Sequence, residues 1–385
     1  MYLIGLGFFL WMGCNPSKPA PPVTQPDKPV QQTPKLVPDE KAMYLTEVGR
    51  FLGGMERLNP SFLDSMRVTS AWKSHQSKSD TLWARVEKEQ LSIIRTWADT
   101  EIPERMKNAK EVFYTFSGPD FLYGNIFYPK AEHYVMAGLE LPGETPLMSG
   151  IPLPELDQNL RGLYTSLDDI LNVSFFKTID MGHDFKVTRF KGIAPVIMLF
   201  MARTGHYIAK VEPVICDTLG NLRPGTKPSV DEFPGVQIDF FADGDTVMRK
   251  VVYFSQNITD LEFRRVKGFG RYVEKMKDPV AYLKGASYLM HNSYFSEVRN
   301  LILNRCIGFL QDDSGMAWKY INKEDWDVQL YGRYMVPIAL FANRYQTDLQ
   351  KEYDTNPKVK PLPFGLGYRY LQNESNLCLA VSKKR

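Results

Sequence analysis

Hydrophobic and polar positions divide the chain into three regimes. Residues 1–13, MYLIGLGFFLWMG, carry no charge and are almost wholly apolar. As a helix they rise only about 20 Å. That is short of the ~30 Å hydrocarbon core of a bilayer, so they predict an export signal and not a membrane span. Residues 15–38 hold eight prolines (Pro16, Pro19, Pro21, Pro22, Pro26, Pro29, Pro34 and Pro38) and almost no large apolar side chains. Such a stretch cannot bury a core. It predicts a proline-rich tether over 14–41, whose extended part spans on the order of 70 Å at about 3.1 Å per residue. Periodicity begins near residue 42, which predicts a globular domain over 42–385.

Within that domain helical spacing covers 42–57 and 60–74. Leu82, Val86, Ile93 and Trp97 then form one stripe behind Ser79 and Asp80, two residues suited to capping. Short apolar runs at 112–116 and 133–141 read as strands, and 155–177 reads as a helix. The middle is β: 206–217 alternates loosely, with Pro213 marking an edge position. Segments 235–242 and 246–255 flank Asp243-Gly244-Asp245, a strong hairpin signal. Helices are expected at 262–276, 279–291 and 336–353. Another is expected at 297–310, where Val298, Leu301, Ile302, Cys306 and Phe309 share a face. A glycine-rich extended tail follows. Hairpin-joined strands with helices clustered at both ends imply an α+β fold, a single compact domain around a central, mostly antiparallel sheet.

An internal echo suggests two similar lobes, 42–205 and 206–385. Gly118-Pro119-Asp120-Phe121-Leu122-Tyr123-Gly124-Asn125 aligns with Gly285-Ala286-Ser287-Tyr288-Leu289-Met290-His291-Asn292, and paired aromatics follow each copy. Chance similarity is the competing account, since few of the positions are identical.

Composition narrows the class. The chain has 385 residues, 44% hydrophobic and 24% charged, which excludes disorder and a disulfide miniprotein. Its 47 basic and 44 acidic residues balance too evenly for a protein that neutralises phosphates, so nucleic acid is not an expected partner. The stretch Leu10-Trp11-Met12-Gly13-Cys14 resembles the lipobox of bacterial lipoproteins. The resemblance implies that Cys14 is lipidated, becomes the mature N-terminus and ties the protein to a membrane. Asn15 in place of Asp resembles lipoproteins forwarded to the outer membrane. The address this implies is the bacterial cell envelope, at the outer membrane facing the periplasm. Cys216, Cys306 and Cys378 then remain, enough for one disulfide at most.

Candidate chemistry is sparse. Asp120 reads either as an acid/base or metal-binding carboxylate at a strand end or, with Ser117 and Pro119, as the cap of a helix. Gln311-Asp312-Asp313-Ser314-Gly315 reads as a turn, or as a carboxylate pair just past a helix C-terminus, where the dipole calls for a compensating positive group. His183-Asp184 and His291 are candidate bases, and each has an ordinary turn or helix-end reading beside it. The five histidines lack HExxH spacing, and no glycine-rich phosphate loop or GxSxG elbow occurs, so no metal or cofactor is expected. Asp243-Gly244-Asp245 lacks the further ligands of a calcium loop.

FYTFSGPDFLYG, LKGASYLMH, QDDSG and the late LPFGLGY together resemble a family of uncharacterised exported bacterial proteins over about 110–370. The resemblance implies a shared fold and no established activity. Two functions are carried forward. The first is a membrane-anchored envelope lipoprotein acting as a non-catalytic binding or assembly module for an envelope protein or glycan. The second is an envelope hydrolase of glycan or peptide, with Asp312, Asp313, Asp120 and His291 converging in a groove between the lobes.

Overall fold

The computed structural model describes residues 1, 13, 34–173, 190–370 and 373–385. The chain divides into two units, Met1–Pro34 and Lys35–Arg385, and every element described below belongs to the second. Cys14, nearly all of the export signal and most of the tether lie outside the described residues, as does His183-Asp184.

α1 (Glu40–Leu52) starts at Asp39, whose carboxylate accepts from Ala42 N. After α2 (Asp64–Arg67), Thr69 caps α3 (Ser70–Val86) through Trp72 N, so Ser79 and Asp80 lie inside the helix and do not begin it. A π-turn at Glu87–Leu91 joins α3 to α4 (Ser92–Glu101). That wider turn brings Ile94, not Ile93, fully into the core, while Leu82, Val86 and Trp97 of the expected stripe are buried. The remaining helices among the described residues are α5 (Glu104–Lys107), α6 (Phe121–Phe127), α7 (Leu153–Val173), α8 (Ala194–Arg203), α9 (Asp260–Arg265), α10 (Gly268–Glu274), α11 (Ser296–Arg305) and α12 (Thr347–Thr355).

Ten strands form one sheet: β1 (Glu111–Thr115), β2 (His133–Gly138), β3 (His206–Cys216), β4 (Leu222–Pro224), β5 (Phe233–Ala242), β6 (Arg249–Ser255), β7 (Val280–Leu283), β8 (Gly308–Gln311), β9 (Trp326–Gly332) and β10 (Asn376–Ser382). Their order is β4-β3-β5-β6-β2-β1-β7-β8-β10-β9. The fold is α+β with a mixed sheet. Antiparallel ladders occupy both flanks, among them the expected β5–β6 hairpin around Gly244. The centre, β6-β2-β1-β7-β8, is parallel throughout, which an expectation of hairpins alone does not produce.

The parallel centre explains two misread segments. Residues 279–291 are not a helix: Val280–Leu283 is strand β7, and a short 3-10 turn occupies Leu289–His291. Residues 297–310 hold α11, which stops at Arg305, and then strand β8. A strand covered on both faces is apolar at every position, so it shows no alternation to separate it from a buried helix. Val112 and Tyr114 of β1 pack into one apolar layer with α4, α6 and α8, while Phe113 packs into the opposite layer with α10 and α11. Strands from both expected lobes share the sheet, with β1 and β2 lying between β6 and β7.

The wider turn makes a testable difference between adjacent residues. Ile94→Ala is expected to cost about 2–5 kcal/mol in urea unfolding, and Ile93→Ala clearly less. Equal losses contradict the π-turn register.

Candidate crevice at the β1/β7 switch point

The central strands place a crevice at their C-terminal ends. From β1 the chain passes to α6, which packs in one layer; from β7 it passes to α11, which packs in the other. Where neighbouring parallel strands send their connections to opposite faces, the two loops part and leave an opening, the usual ligand position in open α/β sheets. Here a cavity of about 110 Å³ lies between the loops after β1, β2 and β7, bordered by Ser117, Asp120, Leu139, Glu140, Lys284 and Ser287 among others.

Its floor is an ion pair. Lys284 Nζ lies 2.6 Å from Asp120 Oδ2, with the two side chains 2% and 1% exposed. Asp120 is the N-cap of α6, accepting from Tyr123 N at 3.1 Å, as the capping reading expects. It also accepts from Tyr114 OH at 2.6 Å. Burial, and then the charge of Asp120, push the Tyr114 phenol far up, so it stays a proton donor. The Lys284 ammonium sits 3.7 Å over the ring of Tyr123. Burial lowers its pKa from the ordinary lysine value, and the charges of Asp120 and Asp312 oppose that shift without cancelling it.

Asp312 and Asp313 follow strand β8 and not a helix C-terminus, so the dipole argument for a compensating cation does not apply to them. Both are buried, and their oxygens are taken up in holding loops together. Asp312 accepts from Gly285 N at 2.9 Å, from Ser314 N at 3.0 Å and from the Ser314 hydroxyl. That hydroxyl in turn accepts from Ala286 N at 2.8 Å. Asp313 accepts from Tyr288 OH at 2.6 Å and Asn376 Nδ2 at 2.8 Å. Burial pushes both carboxyls up, with Asp313 adding to the shift at Asp312. Gly367 explains part of the late LPFGLGY motif: its φ is +64°, and a Cβ there would strike the Asp312 carboxylate.

The expected four-residue centre therefore separates. Asp120 borders the crevice with Lys284, and Asp312 lies next to it by bonding Gly285. Asp313 faces the loop 285–288 and β10. His291 bonds the backbone oxygen of Asp313, at 3.2 Å, packs edge-on against Tyr288, and borders a different depression with Arg344 and Gln346. Cys216, Cys306 and Cys378 are all free and buried, and burial pushes each thiol up to about 12, which makes them poor nucleophiles. Among the described residues no group of three or more His, Cys, Asp or Glu side chains could hold a metal ion. None of the described helices is long and apolar enough to cross a membrane.

Lys284 is absent from the sequence candidates because the apolar run 279–291 reads as a helix and hides the end of β7. The echo between 118–125 and 285–292 was the available signal: the two segments follow β1 and β7, neighbouring parallel strands that share the crevice. No family model, curated protein or solved structure matches this chain.

The buried groups set the pH response. Burial lowers His75, His206 and His291 to about 4, so each is neutral in the folded chain. The unfolded chain then binds more protons between about pH 4 and 6.5, and stability rises with pH across that interval. Asp312 acts in the opposite sense: its raised pKa keeps a proton on the folded chain, and that stability is lost as pH climbs through the raised value. Asp312→Asn is therefore expected to steepen the rise of the urea midpoint between about pH 4.5 and 6.5. A shallower rise contradicts the assignment.

Proposed function

We propose that this protein is a lipid-anchored component of the bacterial cell envelope, tied through Cys14 to the outer membrane on its periplasmic side. Its globular domain binds a small polar ligand, such as the end of a glycan, in the crevice above β1, β2 and β7. The apolar leader, Cys14 and the proline-rich stretch support the address. The observation that carries the binding reading is the crevice itself, sited at the switch point and floored by a buried Lys284–Asp120 pair. Ser117 and Ser287 at its border can meet ligand hydroxyls, and Leu139, 69% exposed, stands at its rim.

Binding is favoured over hydrolysis by the state of the acidic residues. A pair of carboxylates serving as acid and base needs oxygens within reach of the scissile bond. Those of Asp312 and Asp313 are engaged by Gly285, Ser314, Tyr288 and Asn376. His291 reaches neither carboxylate.

Two measurements test the two halves of the proposal. Cys14→Ser should move the protein from the membrane fraction to the soluble fraction, and an unchanged membrane fraction rejects the anchor. Glycerol, a neutral polyol probe, should first shift the backbone amide resonances of Gly118, Leu139 and Gly285, with Leu139→Trp suppressing the effect. Shifts spread evenly over the surface, or unaffected by Leu139→Trp, reject the crevice as the binding site.

A further inference from the structure

We propose that Lys284 captures the carbonyl group of a small neutral hydroxy-aldehyde or hydroxy-ketone in the crevice as a reversible imine. The inference rests on the crevice being the ligand site and names the chemistry of capture there.

Three observations lead to it. The first is the setting of the amine. Lys284 borders the cavity while its side chain is 2% exposed, and among the described residues Asp120, at 2.6 Å, is the one acceptor its Nζ meets. A buried ammonium normally has its hydrogens satisfied. This one is held by charge and by the face of Tyr123.

The second is backbone strain around the amine. Five non-glycine residues among those described have positive φ, and three of them, Phe116 (+58°), Ser287 (+53°) and Tyr288 (+54°), lie in the two loops beside the crevice. Left-handed backbone at such residues costs on the order of 1–3 kcal/mol each and clusters where a site needs a fixed shape. The clamp from Asp312 and Ser314 to Gly285 and Ala286 holds the second loop in that shape.

The third is charge. Asp120 already balances Lys284, and Glu140 adds a further carboxylate at the border, where it accepts from Tyr253 OH at 2.9 Å. A lining with this balance repels an anionic ligand, so a phosphate or carboxylate is a poor occupant. A neutral carbonyl compound meets no such penalty. Its hydroxyls can bond Ser117 and Ser287, and a cavity of about 110 Å³ restricts it to a small molecule.

The chemistry balances within the site. Transfer of one proton from the Lys284 ammonium to Asp120 turns a buried ion pair into a neutral amine and a carboxylic acid. The amine lone pair attacks the carbonyl carbon, forming the C–N bond as the carbonyl π bond breaks; the oxygen takes the proton held by Asp120, and the nitrogen returns one to Asp120, which then protonates the departing hydroxyl. The resulting carbinolamine loses that oxygen as water and gives the imine, with the carbonyl compound and amine as the only reactants. Burial lowers the Lys284 pKa and so raises the share of free amine at neutral pH.

Full-length protein treated with glycolaldehyde and sodium cyanoborohydride at neutral pH, followed by peptide mass mapping, tests this. Reduction should fix a hydroxyethyl group on Lys284 faster than on the exposed lysines, because burial lowers its pKa. Leu139→Trp should slow that labelling, and Lys284→Arg should abolish it at this position. If Lys284 stays unlabelled while exposed lysines react, the imine proposal fails, whether or not the Arg variant folds. When glycerol still shifts the crevice amides in that case, the binding site stands and only covalent capture falls. Loss of both signals rejects the site as well.

Discussion

Lys284 brings its ammonium to 2.6 Å from Asp120 in a part of the molecule where neither side chain meets solvent. Charges so placed are costly to desolvate, and removing one partner leaves the other uncompensated. The pair therefore constrains everything around it. Asp120 must stay at the end of β1 to cap α6, and Lys284 must stay at the end of β7. The two strands lie side by side in the parallel centre of the sheet. Tyr114 and Tyr123 complete the enclosure, one donating to the carboxylate and the other covering the ammonium.

The acidic turn after β8 has a different task. Asp312 and Asp313 were the most prominent chemical signal in the chain, and they work as a clamp. Through Gly285, Ser314, Tyr288 and Asn376 they bind the loop after β7 to the neighbouring strand end and to β10. The loop that carries Lys284 is thus held from one side by its ion pair and from the other by this clamp. A rigid frame around a lightly bonded amine suits a binding site, because little ordering is left to be done when a ligand enters.

Local signals were read well where one face of an element meets water. The β5–β6 hairpin, the helix at 153–173 and the cap at Asp120 follow from alternation, helical spacing and a carboxylate before a free amide. The centre of the sheet was harder to read. Val280-Ala281-Tyr282-Leu283 is buried at every position, so its pattern carries no period and reads as helix. The same error hid Lys284 and displaced Asp312 and Asp313 to a supposed helix end. The π-turn at Glu87–Leu91 puts Ile94 in the core in place of Ile93, which no regular 3.6-residue pattern anticipates. Only the weak echo between the loops after β1 and β7 pointed across the sheet.

Asp120 and Lys284 act as one unit at the base of the crevice. A double-mutant cycle with Asp120→Asn, Lys284→Met and the double variant, read by urea unfolding at neutral pH, measures this directly. Each single change is predicted to cost about 3–5 kcal/mol, because it strands a buried partner. The double variant should cost about 2–3 kcal/mol less than the sum of the two, the interaction energy of the pair. Additive losses would contradict the account and leave the crevice without its floor.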